Sequence, residues 1–529
     1  MKMPRVIYND DTCSLRQVDP PHDVAVVARA VDYLAENRVD RLCWNMYCGG
    51  LAYSYRSSVI ENLFDFAARD PGRTLLSERN AMYALDARGV DYVPALIGEA
   101  RRRGLEFYAS LRMNDCHLKS QDALVPRLWR EHPEYRLWGV PDTLSWHNAA
   151  LDYSFPEVRE PPFLAAEEIA GRYDIDGLEL NFMRDPYCFQ PEEAWAKRGI
   201  MTEFLERLRE MLDRAGRRRG RRPGLMVSVP YDESVRRRAG LDLAEWVERR
   251  LVDLVAGCGA ANDPDEDLSA DIALCRHSGI PYFGHVEAFH IRNWRPDAAL
   301  TRDQIAPRHN YNYLSTAEET CRIVHGMAHC ALAQGADGVY LFNYPCRLFE
   351  PWWSPCPDGE ADADVRRLKS ALSACGDLEA LARSRRLYLF WGKLPVYAEA
   401  LRPARYFQEA PFAIRGGVGG DVFDVAFRCY HAPNPHELVP PSGASLARLL
   451  ECRLNGTLIP RELLRIERAP AGGIPSGYTI PEHERWFFTV SGGWMRDGKN
   501  TLSFFMPDSP RADTGYVYIH DLWIWRRPA

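Results

Sequence analysis

Residues 105–115 read LEFYASLRMND, and this stretch decides the fold. Leu105, Phe107 and Leu111 share one parity, whereas the residues between them are largely polar. A parallel strand that is buried on both faces is apolar throughout when structure is its only requirement. Polar inward side chains cost stability unless they bond one another or a ligand. The pattern therefore predicts a buried strand whose inner face serves a site.

Strands of this kind alternate with helical stretches from the N-terminus to about residue 345. The predicted strands are Arg5–Tyr8, Val39–Asn45, Leu105–Asn114, Ile175–Phe182, Leu225–Tyr231, Val252–Ala256, Pro281–Glu287 and Gly338–Asn343. Eight strands with intervening helices predict an α/β fold, the closed (β/α)8 TIM barrel. A ninth segment, Ala150–Ser154, is interpreted as a short strand in a long loop, although it could replace the first strand. A doubly wound open sheet is the alternative, but NDDTCSL after Tyr8 lacks the Gly-rich turn that binds nucleotides.

The pattern changes after about Leu387, where short aromatic-rich segments alternate with Gly, Pro and Asn. Such segments predict an antiparallel, jelly-roll-like β-sandwich. We therefore expect a barrel domain over residues 1–386 and a β-sandwich over residues 387–529. LNGTLI and the later RDGKNTLSFF resemble the galactose-binding-like jelly rolls that accompany many carbohydrate enzymes. A domain that only packs on the barrel is the alternative.

The composition describes a folded protein of 529 residues with a net charge of −7, 46% apolar and 26% charged residues, which excludes a disordered chain. We find no apolar run of membrane-spanning length and no apolar signal-peptide core in the first thirty residues, so we expect a cytoplasmic protein without a membrane partner. The runs Arg101–Arg103 and Arg217–Arg219 are interpreted as solvated helix ends, and no nucleic-acid partner is expected. The oligomeric state stays open, a homo-oligomer included.

The metal-ligating residue types have unfavourable contexts. The 14 cysteines form no C-x-x-C pair and are predicted to be free thiols. His285, Glu287 and His290 form H-x-E-x-x-H, but in a strand-to-loop segment rather than on the helix that a zincin requires. His325 and His329 lack a third ligand nearby in the sequence. We expect neither a metal nor a cofactor.

The functional groups of a parallel barrel gather at the carboxyl ends of its strands. Amides, carboxylates, a guanidinium and aromatic rings occupy those positions here. They hydrogen-bond the hydroxyls of a sugar and stack on its ring. We therefore expect an oligosaccharide substrate. The predicted substrate-binding residues are Asn9, Asp10, Asn45, Arg112, Asn114, Asn181, Arg184, His285, Asn343, Tyr344 and Trp352.

Cleavage of a glycosidic bond requires two carboxyl groups, one that protonates the leaving oxygen and one that attacks or activates water. Glu179 and Glu287 are the leading pair, because the fourth and seventh strands lie on opposite sides of a barrel mouth. Asp232, after the fifth strand, is the reserve. The alternative for Glu179 is a structural ion pair with Arg112.

Four stretches carry a resemblance to a known family: residues 39–50 (VDRLCWNMYCGG), 176–186 (DGLELNFMRDP), 227–240 (VSVPYDESVRRRAG) and 334–345 (QGADGVYLFNYP). They resemble the bacterial glycosyl-hydrolase-like family 10, over most of residues 4–345. The resemblance implies a barrel glycoside hydrolase or a close relative, with Glu179 as acid/base and Glu287 as nucleophile. The chain departs from related barrels at Asn181, where they often carry Asp, and at Met183, where the chitinase-like pattern has Glu. Leu178 precedes Glu179, where the retaining clan has Asn.

The primary hypothesis is a retaining, exo-acting glycoside hydrolase. A non-catalytic carbohydrate-binding or sensing barrel is the second hypothesis, since Asn181 and Met183 stand where related enzymes carry acids. A metal-dependent sugar isomerase or lyase is the third.

Overall fold

A computed structural model describes most of the chain. It covers residues 3–16, 18–67, 80–114, 125–138, 150–183, 185–259, 264–287, 317–342, 344, 361–390, 396–399, 406–434, 437–439, 450–469, 472–473, 479–480, 482–506 and 516–529.

Eight parallel strands close into a barrel, which confirms the predicted fold. The strands are β1 (Val6–Asp10), β2 (Arg41–Cys48), β3 (Glu106–Arg112), β4 (Gly177–Asn181), β5 (Gly224–Pro230), β6 (Leu254–Cys258), β7 (Tyr282–Val286) and β8 (Gly338–Phe342). Each strand pairs with its neighbour in sequence, and β1 pairs with both β2 and β8, which closes the sheet. All eight carboxyl ends therefore lie at one rim.

The ninth segment is not a barrel strand. Leu151 forms only an isolated antiparallel bridge with Arg136. The one further extension of the sheet within the described residues is Leu51–Ala52, which pairs antiparallel with the end of β2.

Helices connect the strands. Those described in the first 290 residues are α1 (Asp32–Glu36), α2 (Leu63–Ala67), α3 (Ala81–Asp86), α4 (Val93–Arg102), α5 (Arg127–Glu131), α6 (Pro156–Arg172), α7 (Ala194–Arg219), α8 (Glu233–Ala239), α9 (Leu243–Glu248) and α10 (Ser269–Ser278). Later helices are α11 (Ala317–Ala333), α12 (Ala361–Ala371) and α13 (Leu378–Arg383). Short 3-10 helices lie at Cys13–Leu15, Val24–Ala30, Pro133–Tyr135, Leu372–Ala374, Arg461–Leu463 and Gly492–Trp494.

Side chains fill the amino-terminal half of the barrel interior. Arg41 and Glu106 form an ion pair at 2.6 Å, and the Arg41 guanidinium lies 3.9 Å from the centre of the Tyr108 ring. Gly177 and Gly224 make room for that side chain, because a Cβ atom at Gly177 would fall 2.4 Å from the ring and one at Gly224 would fall 2.2 Å from its hydroxyl oxygen. The parity predicted for β3 is thus observed: Tyr108 faces inward, where it belongs to the interior cluster of the barrel.

The C-terminal residues form antiparallel sheets, as predicted. One sheet has the order β9–β21–β12–β19–β16, with β10 beside β21 and β13 beside β12, and a second has the order β11–β20–β14–β15. The strands are β9 (Arg386–Phe390), β10 (Val396–Glu399), β11 (Tyr406–Ile414), β12 (Val422–Asn434), β13 (Glu437–Val439), β14 (Glu451–Leu454), β15 (Thr457–Leu458), β16 (Arg465–Ala469), β17 (Gly472–Gly473), β18 (Thr479–Ile480), β19 (His483–Ser491), β20 (Gly498–Met506) and β21 (Tyr516–Arg527). Phe427 of the first sheet meets Phe504 of the second at 5.1 Å between ring centres, so the two sheets share one apolar core.

The chain divides into two compact units. Unit 1 comprises residues 1–260, 267–289 and 335–376 and contains the barrel strands; unit 2 comprises residues 261–266, 290–334 and 377–529. The helix α11 belongs to unit 2, where it packs against β9. Among the described residues, none of the helices has the length and apolar character needed to cross a membrane.

Candidate active site

Glu179 lies at the centre of a polar layer inside the barrel. Its side chain is fully buried. Its Oε2 accepts a hydrogen bond from Asn9 Nδ2 at 2.8 Å, and its Oε1 accepts hydrogen bonds from Ser228 Oγ and Tyr340 Oη, both at 2.6 Å. Asn9 Nδ2 also donates to Ser110 Oγ at 3.2 Å. The carboxylate of Glu179 therefore connects strands β1, β4, β5 and β8.

The acidic neighbours of Glu179 are held in their neutral forms. Burial, and then the charge of Glu179, raise the pKa of the Tyr340 hydroxyl well above its ordinary value. The same two causes, in the same order, raise the pKa of the Cys43 thiol. Tyr340 thus donates a hydrogen bond to Glu179, and neither Tyr340 nor Cys43 supplies an anion here.

A second polar cluster lies nearer the rim and is centred on Asp11. Asp11 Oδ1 accepts a hydrogen bond from Asn45 Nδ2 at 2.6 Å. Its Oδ2 lies 3.1 Å from Arg112 Nη2, and the guanidinium of Arg112 stacks 4.9 Å from the centre of the Phe342 ring. The side chain of Asp11 is 16% exposed to solvent, whereas that of Arg112 is 4% exposed. Asp11 is therefore a carboxylate at the rim that solvent reaches.

The chain turns sharply after Asp11. Thr12 has φ 64° and ψ 9°, a left-handed conformation that costs a residue other than glycine on the order of 1 kcal/mol. Arg16 stabilises the turn, since its Nε donates to Thr12 Oγ1 at 3.0 Å and its Nη2 bonds Tyr53 Oη. The strained turn lies directly between β1 and the first 3-10 helix and fixes the backbone that carries Asp11.

Asp10 is buried at the end of β1 behind this cluster. Ser14 Oγ donates to its Oδ2 at 2.6 Å. Burial raises the pKa of the Asp10 carboxyl to about 6, a shift that the hydrogen bond from Ser14 reduces and the charge of Asp11 increases. Asp10 is therefore a carboxyl that titrates close to neutral pH.

Glu287 follows β7 at the same rim and is 2% exposed. Its Oε2 lies 3.7 Å from Nε2 of His285, which is 4% exposed. The ring of His285 lies 6.3 Å from that of Tyr340 and 6.1 Å from that of Phe342. The predicted common face of His285 and Glu287 is thus the inner face of the barrel.

Other predicted site residues bond the protein's own backbone. Asn114 Nδ2 donates to the carbonyls of Leu151 and Tyr187, and its Oδ1 accepts from the amide of Leu151. Asn181 Oδ1 accepts from the amide of Met183, and Tyr344 Oη donates to the carbonyl of Leu368.

Asp232, the reserve carboxylate, is exposed and forms the N-cap of α8. Partial burial acts to raise its pKa, but hydrogen bonds from Ser234 and Val235 outweigh burial and lower the pKa below its ordinary value. Its side chain therefore stabilises the start of a helix.

Arg184, Asn343 and Trp352 lie outside the described residues, as does His290. Among the described residues, no three His, Cys, Asp or Glu side chains form a group that could hold a metal ion.

The sequence analysis missed four members of the site: Asp11, Ser228, Tyr340 and Phe342. The parity test used for β3 would have placed Ser228, Tyr340 and Phe342 on the inner face of the barrel. Asp11 shares the parity of Ile7 and Asn9, so the same test would have placed it on the inner face as well. Trp138 is an exposed aromatic residue that the sequence did not single out. It is 64% exposed on the segment after β3, and its backbone amide donates to Gln190 Oε1 at 3.2 Å.

Comparisons with known proteins give fold-level likenesses. No family model matches the chain, and no curated protein matches it. Similar solved structures include alpha-L-fucosidase isoenzyme 2 from Paenibacillus thiaminolyticus, at 14% identity and a TM-score of 0.38 over 72% of this chain and 50% of that one. The alignment thus spans half of the fucosidase's length.

The alignments with two further structures span almost the full length of those chains. The PgaB (BpsB) glycoside hydrolase domain from Bordetella bronchiseptica aligns at 12% identity and a TM-score of 0.43, over 70% of this chain and 99% of that domain. A glycoside hydrolase family 18 N-acetylglucosaminidase from Paenibacillus barengoltzii aligns at 14% identity and a TM-score of 0.37, over 70% of this chain and 99% of that enzyme. The resemblances to glycosyl-hydrolase-like family 10 and to galactose-binding-like jelly rolls are not confirmed by these comparisons.

Proposed function

We propose that the barrel hydrolyses glycosidic bonds in an oligosaccharide. The observation that carries this proposal is the pair of acidic residues at the rim: Glu287 beside His285 at the end of β7, and Asp11 beside Arg112 after β1. A glycosidase needs two carboxyl groups that flank the scissile bond. Amides and the Phe342 ring around them supply the hydrogen bonds and the apolar face that a sugar requires.

Orphan acceptors at the same end of the barrel agree with a hydroxyl-rich ligand. Oδ1 of Asn9 and Oδ1 of Asn45 are buried and accept no hydrogen bond from the part of the chain that the structure describes. A buried acceptor without a donor costs about 1–3 kcal/mol. Hydroxyl groups of a ligand, or water that a ligand retains, would satisfy these oxygens.

Within this proposal, Glu287 is the carboxyl that acts on the substrate and Asp11 is its partner. The sequence predicted Glu179 as acid/base. Its place in the layer below the rim and its three hydrogen bonds from Asn9, Ser228 and Tyr340 favour a positioning role, since an acid/base must reach the leaving oxygen. Retention of configuration and exo action, both expected from the sequence, are part of the proposal.

The test is release of sugar from a panel of aryl glycosides and neutral and acidic oligosaccharides. Glu287→Gln should abolish turnover, whereas Glu379→Gln, at a side chain that is 84% exposed in unit 2, should not change it. Proton NMR of the first product shows its anomeric configuration, and the product pattern separates exo from endo cleavage. Full activity of Glu287→Gln would refute the assignment.

The pH profile separates the two roles of Glu179. As acid/base, Glu179→Gln would remove the alkaline limb of the kcat/KM profile. As a positioning residue, it lowers kcat/KM and leaves the shape of the profile unchanged.

A carbohydrate-binding barrel without turnover is the second candidate. The three donors to Glu179 all belong to the protein, so this carboxyl group is held in place rather than available to a substrate. Thermal stabilisation by an oligosaccharide that is never cleaved would favour it.

A further inference from the structure

Unit 2 contains a surface cavity of about 310 Å³, at the lower end of the roughly 300–1,000 Å³ that is typical of ligand pockets. We propose that this cavity binds a neutral saccharide, as a second carbohydrate site separate from the barrel rim. Its lining is Glu318, Glu319, Arg322, Arg385, Asp424, Trp525, Arg526 and Arg527.

The floor of the cavity is the outer face of the larger sheet. Trp525 of β21 lies opposite Asp424 of β12 in the antiparallel register. Its neighbours Leu522 and Ile524 belong to the apolar core, so the indole points away from that core. Trp525 is only partly covered. A partly exposed indole on a rigid strand is a platform for the C–H face of a sugar ring.

The wall of the cavity is the first turn of α11. Glu318 and Glu319 belong to that turn, and the guanidinium of Arg322 lies over the Trp525 ring, 5.8 Å from its centre. Arg322 also forms an ion pair with Glu318. Helix and sheet thus present donors and acceptors around one aromatic face.

The charges of the lining favour a neutral ligand. Three carboxylates face four guanidinium groups, but Arg526 already bonds Asp421 and three backbone carbonyls. The remaining lining is electrically balanced. Balanced carboxylates and guanidinium groups offer hydroxyls both acceptors and donors, whereas an anionic ligand would require surplus positive charge.

The ion pairs within the cavity leave one donor unused. Arg527 donates to both oxygens of Asp424 at 2.9 Å. Arg385 is exposed and makes no hydrogen bond or ion pair with the residues that the structure describes. Its guanidinium can therefore bond a ligand hydroxyl without breaking an existing contact.

Affinity electrophoresis of the full chain tests the proposal. Retardation in the gel requires that the protein bind the polysaccharide but does not require that it cleave it. The gels contain soluble starch, xylan, galactomannan or mixed-linkage β-glucan, with polygalacturonate as the acidic comparison. We expect at least one neutral polysaccharide to retard the wild-type protein. Trp525→Leu should weaken that binding about tenfold, the loss of roughly 1.4 kcal/mol of stacking, and Arg385→Ala should weaken it about threefold, the loss of a single hydrogen bond.

Matched controls come from outside the cavity. Trp195→Leu changes a partly covered indole of unit 1 on which the guanidinium groups of Arg198 and Arg237 stack. Arg383→Ala changes an arginine whose side chain is 72% exposed. Neither should alter retardation. The proposal is overturned if no neutral polysaccharide retards the protein, if only polygalacturonate does, or if Trp525→Leu and Arg385→Ala, both folded by thermal unfolding, run as the wild type does. That last outcome would place the binding in the barrel.

Discussion

Glu179→Gln is the substitution that tests the interior of the barrel most directly. Glutamine keeps one acceptor oxygen, which Ser228 and Tyr340 can still use, but it presents an amide group to the Nδ2 of Asn9. A hydrogen bond to a charged group contributes about 1.5–3 kcal/mol, and the two remaining bonds lose their charge assistance. We therefore expect a loss of about 2–4 kcal/mol in the free energy of unfolding. Part of this loss is offset, because the substitution also removes the cost of burying a carboxylate.

The measurement is urea unfolding combined with hydrogen exchange followed by mass spectrometry. Exchange is needed because a chain of two units need not unfold in a single step. Peptides that cover β1, β4 and β8 should lose protection, while peptides from unit 2 should not. Glu210→Gln, at a side chain of α7 that is 74% exposed, is the control and should stay within about 0.5 kcal/mol of the wild type.

A double-mutant cycle with Tyr340→Phe isolates one contact of Glu179. Residues that share a hydrogen bond couple by about 0.5–3 kcal/mol, so the two losses should not add. A Glu179→Gln protein with wild-type stability and unchanged exchange in β1 and β8 would refute the view that Glu179 connects the strands.

Three further substitutions give separate expectations. Asp10 binds its proton more tightly in the folded state, with a pKa of about 6 against 3.8, so its own contribution to the free energy of unfolding should fall by about 3 kcal/mol as the pH rises from 3.8 to beyond 6. The free energy of unfolding of the wild type minus that of Asp10→Asn, both measured with urea, should therefore decrease across pH 4.5–7, and a difference that does not change with pH would contradict the assignment. Gly177→Ala would place a Cβ atom 2.4 Å from the Tyr108 ring and should lower the melting temperature by overpacking worth about 1–3 kcal/mol or more, whereas Gly171→Ala, in open space on α6, should raise it slightly. Trp138→Ala should lower kcat/KM for long oligosaccharides and leave it unchanged for aryl monosaccharides if its exposed indole binds a distant sugar; equal loss on both substrates would exclude that role.

The fold could be predicted because its signal is local. Each barrel strand is a short segment that is apolar on at least one face, and each begins and ends within a few residues of the predicted bounds, as Gly177–Asn181 does within the predicted Ile175–Phe182. The side-chain period of two placed Tyr108 and Arg112 on the inner face from the sequence alone.

The contacts of the site could not be predicted, because they join residues that are far apart in the chain. Ser228 lies 49 positions and Tyr340 lies 161 positions from Glu179. Which inner side chains meet depends on the stagger of the strands around the barrel, which the sequence does not state. The sequence left open an ion pair between Glu179 and Arg112, but Arg112 forms an ion pair with Asp11, which follows β1.

The helix α11 is synthesised before the strands against which it packs, and this order affects how the chain can fold during translation. It belongs to unit 2 but is translated before β8, the last strand of the barrel, and well before the sheets against which it packs. As the chain leaves the ribosome, the apolar side chains of α11 have no final partner until β9 has followed. A fragment that begins at residue 387 would lack this helix, and one that ends at residue 386 would carry it without most of its unit. Expression of these two fragments as separate proteins should therefore fail by aggregation, and a nascent chain stalled just after β8 is the species that we expect a chaperone to hold.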